Sequence, residues 1–278
     1  MPTIRANGLD VGYDVQGAGP PLVLLHGATS LAREDFAAQL PSMSKAFLVH
    51  MPDARGHGRT RWDARDGFRY DWLVDDLVAF VDELGLDSFH LLGFSMGAMT
   101  ALQFGARWPE RLRTLIVVGI TTLREPRATV GRRLMDPERI LAHEPEFAAT
   151  LGRRHDAGQG ADAWQRLLPA IAADIAVQQL LTPAELHRID CPAMVVCGDH
   201  DPFVPPEHAA GLARQLPNGR LFVVPDCGHE VMARRPGLFN EGTSGFYRST
   251  EAEALRRAAL DRGDSRTTEI RRVRDPLW

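Results

Sequence analysis

Phe89-His90-Leu91-Leu92-Gly93-Phe94-Ser95-Met96-Gly97-Ala98-Met99-Thr100-Ala101-Leu102 is the stretch on which the reading of this chain turns. The first six residues form a short apolar run, and the residues after Ser95 are good helix formers that continue to Arg107, just before Pro109. The stretch therefore predicts a strand that turns sharply into a helix with Ser95 at the tip. Glycines stand two residues before and two residues after that serine. Side chains there would collide where strand and helix close up, so Gly93 and Gly97 fit the pattern G-x-S-x-G on packing grounds. The serine hydroxyl is raised above the strand end, over the positive end of the following helix.

A serine hydroxyl is a weak nucleophile until a base takes its proton. The candidate base is His229 in Asp226-Cys227-Gly228-His229, directly after the apolar run Arg220-Leu221-Phe222-Val223-Val224. The candidate acid lies in Gly198-Asp199-His200-Asp201-Pro202, after the run Ala193-Met194-Val195-Val196-Cys197. Asp201 is three residues past Gly198, far enough for the chain to leave the strand and turn the carboxylate back, whereas Asp199 is placed to cap the loop. Serine, acid and histidine follow in the order that goes with a G-x-S-x-G turn. An oxyanion site needs two N–H donors. The predicted pair is the backbone N–H of Met96, next to the serine, and that of Ala28 in the turn His26-Gly27-Ala28-Thr29.

Working outward, Arg5 to Val15 alternates around Gly8 as a hairpin, and Pro21 to His26 and Phe47 to Met51 are continuous apolar runs. Leu73, Leu77, Phe80, Val81 and Leu84 recur at helical spacing, with Gly85 closing the helix. Leu115 to Ile120 is a further buried run. Strands alternating with helices predict parallel βαβ units and a doubly wound α/β sheet. Residues 122–186 lack a strand signal and carry helix-like pieces separated by Pro126, Pro137, Pro145, Gly152, Gly158, Gly160 and Pro169, which predicts a helical insertion. The expected division is a core of residues 1–121 and 187–245, an insertion of 122–186, and a C-terminal helix and charged tail of 246–278. Within that tail, Glu251 to Arg262 reads as one amphipathic helix and Asp264 to Trp278 as a solvated end.

The chain has 278 residues, 44% hydrophobic and 24% charged, with a formal net charge of -4. That balance does not suit a protein that neutralises rows of phosphates, so no nucleic-acid partner is expected. No apolar run approaches the roughly 20 residues that span a bilayer, and Met1-Pro2-Thr3-Ile4-Arg5 has no apolar signal core. Cys191, Cys197 and Cys227 are odd in number, fit no zinc spacing, and read as free thiols in a reducing compartment. The expectation is a cytoplasmic enzyme with no membrane partner, no metal and no cofactor, for which a homodimer stays open.

These motifs, together with the loop Asp53-Ala54-Arg55-Gly56-His57-Gly58, resemble the α/β-hydrolase superfamily over residues 3 to 245. The resemblance implies an eight-stranded, mostly parallel sheet with a helical cap inserted after the sixth strand. It makes the Asp53–Gly58 loop structural support, His57 included. Ser95 at the elbow sets the chain apart from members with an aspartate nucleophile. The sequence His229-Glu230-Val231-Met232 lacks the tryptophan that many carbon–carbon bond hydrolases carry soon after their histidine. The turn and elbow look most like small carboxylesterases, lactonases and cofactor-free haloperoxidases or perhydrolases. The expected reaction is hydrolysis of a small-molecule ester or lactone, with Phe94, Met96, Met99, Leu134, Trp164 and Leu168 as candidate acyl-pocket residues. Carbon–carbon hydrolysis and a ligand-binding receptor on the same fold are the alternatives.

Overall fold

Four strands of the sheet pair parallel on both sides and consist almost entirely of buried residues, which requires helices on both faces. In this computed structural model, which describes residues 2–63 and 67–261, those strands are β3 (Pro21–Leu25), β5 (Phe89–Phe94), β6 (Leu112–Val118) and β7 (Ala193–Gly198). They lie in one eight-stranded sheet with β1 (Thr3–Ala6), β2 (Leu9–Gly17), β4 (Leu48–Pro52) and β8 (Gly219–Val224), in the order β1-β2-β4-β3-β5-β6-β7-β8. β1 and β2 pair antiparallel through a turn in which Asn7 and Gly8 both have positive φ. The pairing of β2 with β4 is also antiparallel, and all the others are parallel.

Helices connect the parallel strands. The short α1 (Ala32–Asp35) and α2 (Leu40–Met43) follow β3, and α3 (Tyr70–Glu83) precedes β5. Tyr70, Leu73, Val74, Leu77, Phe80 and Val81 form the buried stripe of α3, and Gly85 at φ 65° ends it, one residue past the Leu84 cap. α4 (Met96–Arg107) follows β5, and α10 (Pro206–Gln215) joins β7 to β8. Strand order reverses around β3, which pairs with β4 on one side and β5 on the other. A crevice opens beyond the carboxyl ends of strands at such a switch point. The turn 26–29 and Ser95 leave β3 and β5 there.

Between β6 and β7 the chain inserts five helices: α5 (Arg127–Leu134), α6 (Pro137–His143), α7 (Pro145–Gln159), α8 (Trp164–Val177) and α9 (Pro183–Leu186). Pro137 and Pro145 begin helices, where the missing N–H costs nothing. Pro169 is no break either: it sits inside α8. Gly160, at φ 88°, does end α7.

After β8 come α11 (Val231–Arg234) and α12 (Pro236–Asp261), so the helix expected from Glu251 begins 15 residues earlier, at Pro236. The reading of Asp264 to Trp278 lies outside the described residues. The chain forms two compact units, Met1–Asn240 and Glu241–Trp278. The first contains the sheet and the whole insertion.

Candidate active site

Ser95 joins β5 to α4 with φ 51° and ψ −107°, a conformation that non-glycine residues adopt only when their surroundings enforce it. The surroundings here are hydrogen bonds. Its N–H donates to the Val118 carbonyl at 2.8 Å, its carbonyl accepts from Ala98 and Met99 at 3.1 Å, and the Gly97 N–H donates to the His26 carbonyl at 3.0 Å. A Cβ on Gly93 would collide with the carbonyl of Gly97, and one on Gly97 would lie 2.5 Å from the Leu25 carbonyl oxygen.

Asp201 and His229 come from the ends of β7 and β8 and meet at 2.8 Å between Oδ2 and Nδ1. The Asp201 side chain is 0% exposed, that of His229 15%. Asp201 Oδ1 accepts from the N–H groups of Phe203 at 2.8 Å and Val204 at 3.2 Å, so the carboxylate is oriented from its own loop. Asp199 instead accepts from the Cys227 N–H at 3.0 Å, as a loop cap, and that bond holds its carboxyl below the usual range. The imidazole lies between Phe94, ring centroid 4.9 Å away, and Phe203 at 4.3 Å. Gly119, at φ 63°, passes so close that a Cβ would be 2.8 Å from His229 Cε1.

The turn after β3 is built to present one N–H. The Ala54 N–H donates to His26 Nε2 at 2.9 Å, so the neutral ring carries its hydrogen on Nδ1, which donates to the Gly27 carbonyl at 2.7 Å. A planar trans peptide then points the Ala28 N–H the opposite way. The Gly27 N–H donates to Asp35 Oδ2 at 2.9 Å, and burial pushes that carboxyl up to about 6. Among the described residues no protein group accepts from the Ala28 or Met96 N–H.

Behind the turn three buried imidazoles pack in a row. His26 and His57 have centroids 4.8 Å apart, and His57 and His155 of α7 are 5.2 Å apart. Burial holds all three below the ordinary histidine value, His26 well below it and His155 at about 3. The unfolded chain binds these protons first, so stability is complete above pH 6.5 and is lost as pH falls through that value. At pH 5 a ring kept neutral costs about 2 kcal/mol, so His155 alone removes about 2 kcal/mol of a total of about 5–15, and His26 acts in the same direction. Melting temperature measured against pH is expected to drop steeply from 6.5 to 5. His155→Gln should flatten that slope by close to one proton. A wild-type slope of zero contradicts the assignment.

Ser95 and His229 share the wall of a cavity of about 610 Å³ with Gly27, Ala28 and Thr29. Phe94, Phe203, Leu134, Met135 and Phe147 supply its apolar lining, and Arg139, paired to Glu144 at 2.6 Å, is one of its charged groups. Of the expected pocket residues, Phe94 and Leu134 are there. Met96 instead lines a separate small cavity between β3, β4 and α3, beside Leu73 and Leu77. Met99, Trp164 and Leu168 are core residues with no more than 1% exposure, because α4 and α8 are buried on the faces that carry them. His57 is fully buried beside the carbonyls of Ala28 and Arg55, a structural position. No group of three or more His, Cys, Asp and Glu among the described residues is placed to hold a metal ion, and no helix there is long and apolar enough to cross a membrane.

The motif reading leaves out four groups that shape this site: the His26 ring, Asp35, Gly119 and Phe203. Gly119 has a sequence signal, a glycine directly after a buried strand, and the other three are placed only by tertiary packing.

The model of the alpha/beta hydrolase family matches residues 22–241. The serine hydrolase BPHL of Mus musculus is 28% identical over 256 residues, 87% of this chain and 84% of that one. The pimeloyl-[acyl-carrier protein] methyl ester esterase of Nitrosomonas europaea is 26% identical, covering 82% of this chain and 96% of its own. Among solved structures, Est816, an N-acyl homoserine lactone degrading enzyme, superposes with a TM-score of 0.72 at 27% identity, covering 88% of this chain and 100% of that one. Sheet order, strand-to-helix turn and a match running through six of the eight strands lead to one conclusion: the chain belongs to the alpha/beta hydrolase family, as a hydrolase.

Proposed function

We propose that the protein hydrolyses a carboxylic ester or lactone of a small molecule through an acyl-enzyme intermediate on Ser95. The observation that carries this reading is the His229 imidazole, held on Nδ1 by the buried Asp201 carboxylate and opening onto the same cavity as Ser95. In the first half-reaction Ser95 Oγ bonds to the carbonyl carbon as its proton passes to His229 Nε2. The carbonyl oxygen becomes an oxyanion facing the Ala28 and Met96 N–H groups, and Asp201 stabilises the imidazolium without taking its proton. Collapse breaks the carbon–oxygen bond, and the alcohol leaves with the proton from His229. Water then attacks the acyl carbon, giving its proton to His229, and the acid departs as Ser95 recovers its hydrogen. The stretch His229-Glu230-Val231-Met232, which has no tryptophan soon after the histidine, supports the ester and lactone reading over carbon–carbon cleavage.

The test is steady-state hydrolysis of nitrophenyl esters with acyl chains from acetyl upward. Each methylene that enters an apolar pocket is worth about 0.8 kcal/mol. kcat/KM is therefore expected to climb with chain length until the cavity is filled and then fall. Wild-type protein inert toward every ester and lactone offered would remove this reading and bring carbon–carbon cleavage or simple ligand binding forward.

A further inference from the structure

The inserted helix α7 reaches past the cavity and takes hold of the turn that presents the Ala28 N–H. Arg154 Nη1 donates to the Thr29 carbonyl at 2.8 Å, and its Nε donates to Glu34 Oε2 at 2.7 Å. Glu34 belongs to α1, which starts directly after the turn, and the next residue, Asp35, accepts from the Gly27 N–H. The neighbouring His155 packs on His57, whose Nε2 lies 2.9 Å from the Ala28 carbonyl, and it accepts from the Gly58 N–H at 3.1 Å. Three successive carbonyls, those of Gly27, Ala28 and Thr29, thus each face a side chain: His26, His57 and Arg154. Two of these belong to the sheet's own loops. The third comes from the insertion.

Docking of α7 does not need Arg154. At its C-terminal end Gln159 donates to the Thr60 and Gly58 carbonyls at 2.7 and 3.3 Å and accepts from the Trp62 N–H at 3.0 Å. Gly158 lies so near the Gly58 carbonyl that no Cβ fits between them. With the helix already anchored there, the Arg154 bond acts on the turn. Its guanidinium side chain is 18% exposed, which strengthens a charge-assisted bond relative to one in open water.

We infer that Arg154 is a positioning residue for the oxyanion turn, so that the insertion sets the rate of the chemical step and not only access to the cavity. The inference rests on the ester-hydrolysis reading above. The test compares Arg154→Gln with Arg153→Gln, an exposed neighbour on the same helix. Four quantities are measured: kcat and KM for a short nitrophenyl ester, affinity for a trifluoromethyl ketone, and amide exchange in the peptide spanning 24–31. For Arg154→Gln, kcat is expected to fall about tenfold to a hundredfold, since a displaced donor loses transition-state stabilisation. KM should stay within about twofold, as it does when an interaction is made only in the transition state. Ketone affinity should fall in step with kcat, and exchange in 24–31 should quicken while the strands stay protected. Arg154→Lys should recover part of the lost kcat, and Arg153→Gln should match wild type. A raised KM with unchanged kcat, or unchanged exchange in the turn, overturns the inference. Absence of turnover by the wild type sinks the ester-hydrolysis reading alone, and the exchange rates then still decide whether Arg154 orders the turn.

Discussion

Ser95→Ala is expected to lower kcat for ester hydrolysis by about four to six orders of magnitude while leaving the fold intact. Removing the hydroxyl takes away the atom that would form the acyl bond, and no neighbour stands in its place. Alanine keeps the Cβ that the φ of 51° already accommodates, so the hydrogen bonds to Val118, Ala98 and Met99, all made by the backbone, survive. The variant should therefore melt within a degree or two of wild type. It should still bind short-chain carboxylic acids, because the cavity wall is unchanged. Residual hydrolysis should fall short of zero: the Ala28 and Met96 N–H groups still stabilise an oxyanion formed by attack of water. Full activity in Ser95→Ala would remove the serine from the mechanism whatever the geometry of His229 and Asp201.

Gly97→Ala is expected to have a large effect on folding. The new carbon would lie 2.5 Å from the Leu25 carbonyl oxygen and 2.6 Å from Leu25 Cβ, against a central strand with no freedom to retreat. Overpacking a core costs about 1–3 kcal/mol where side chains can shift. Here the obstacle includes backbone, and the loss should reach about 3–5 kcal/mol, a large share of the stability of a single domain. The displaced elbow should also lose activity in whatever fraction folds, because the Gly97 N–H is the tie between α4 and the His26 carbonyl. Gly211→Ala is the contrast. It lies inside α10 with no atom within 4 Å of the added carbon. That substitution should raise stability by about 0.5–1 kcal/mol. Urea unfolding of both variants separates the effects, and a Gly97→Ala protein as stable as wild type would contradict the packing described for the elbow.

The parts of this molecule that were legible in the sequence are those encoded by local rules. Leu22 to Leu25 and Leu91 to Phe94 are continuous apolar runs because both faces of a parallel sheet are covered, and such runs can be recognised one segment at a time. Gly93 and Gly97 announce the elbow because the clash they avoid is between neighbours in the chain. Asp201 and His229 can be picked out because each follows a strand of this kind. The His26 ring is different. Its tautomer is fixed by the Ala54 N–H, 28 residues away, and Arg154 reaches Thr29 across 125 residues. No spacing rule connects those pairs. Met99, Trp164 and Leu168 were expected at the pocket and lie in the core for a related reason: an apolar residue on a helix satisfies either environment, and only the packing of α4 and α8 chooses between them. Pro137 and Pro145 illustrate an ambiguity within local rules, since the same residue that breaks a helix also starts one.

The central claim is that Ser95 is the nucleophile, activated by His229. It is tested most directly by treating the protein with a fluorophosphonate, which phosphonylates an activated serine and releases fluoride, and locating the adduct by peptide mass spectrometry. The account predicts one adduct per chain, on the peptide containing Gly93-Phe94-Ser95-Met96-Gly97, formed much more slowly in His229→Gln and absent in Ser95→Ala. No adduct on the wild type, or an adduct on a different serine, would contradict it.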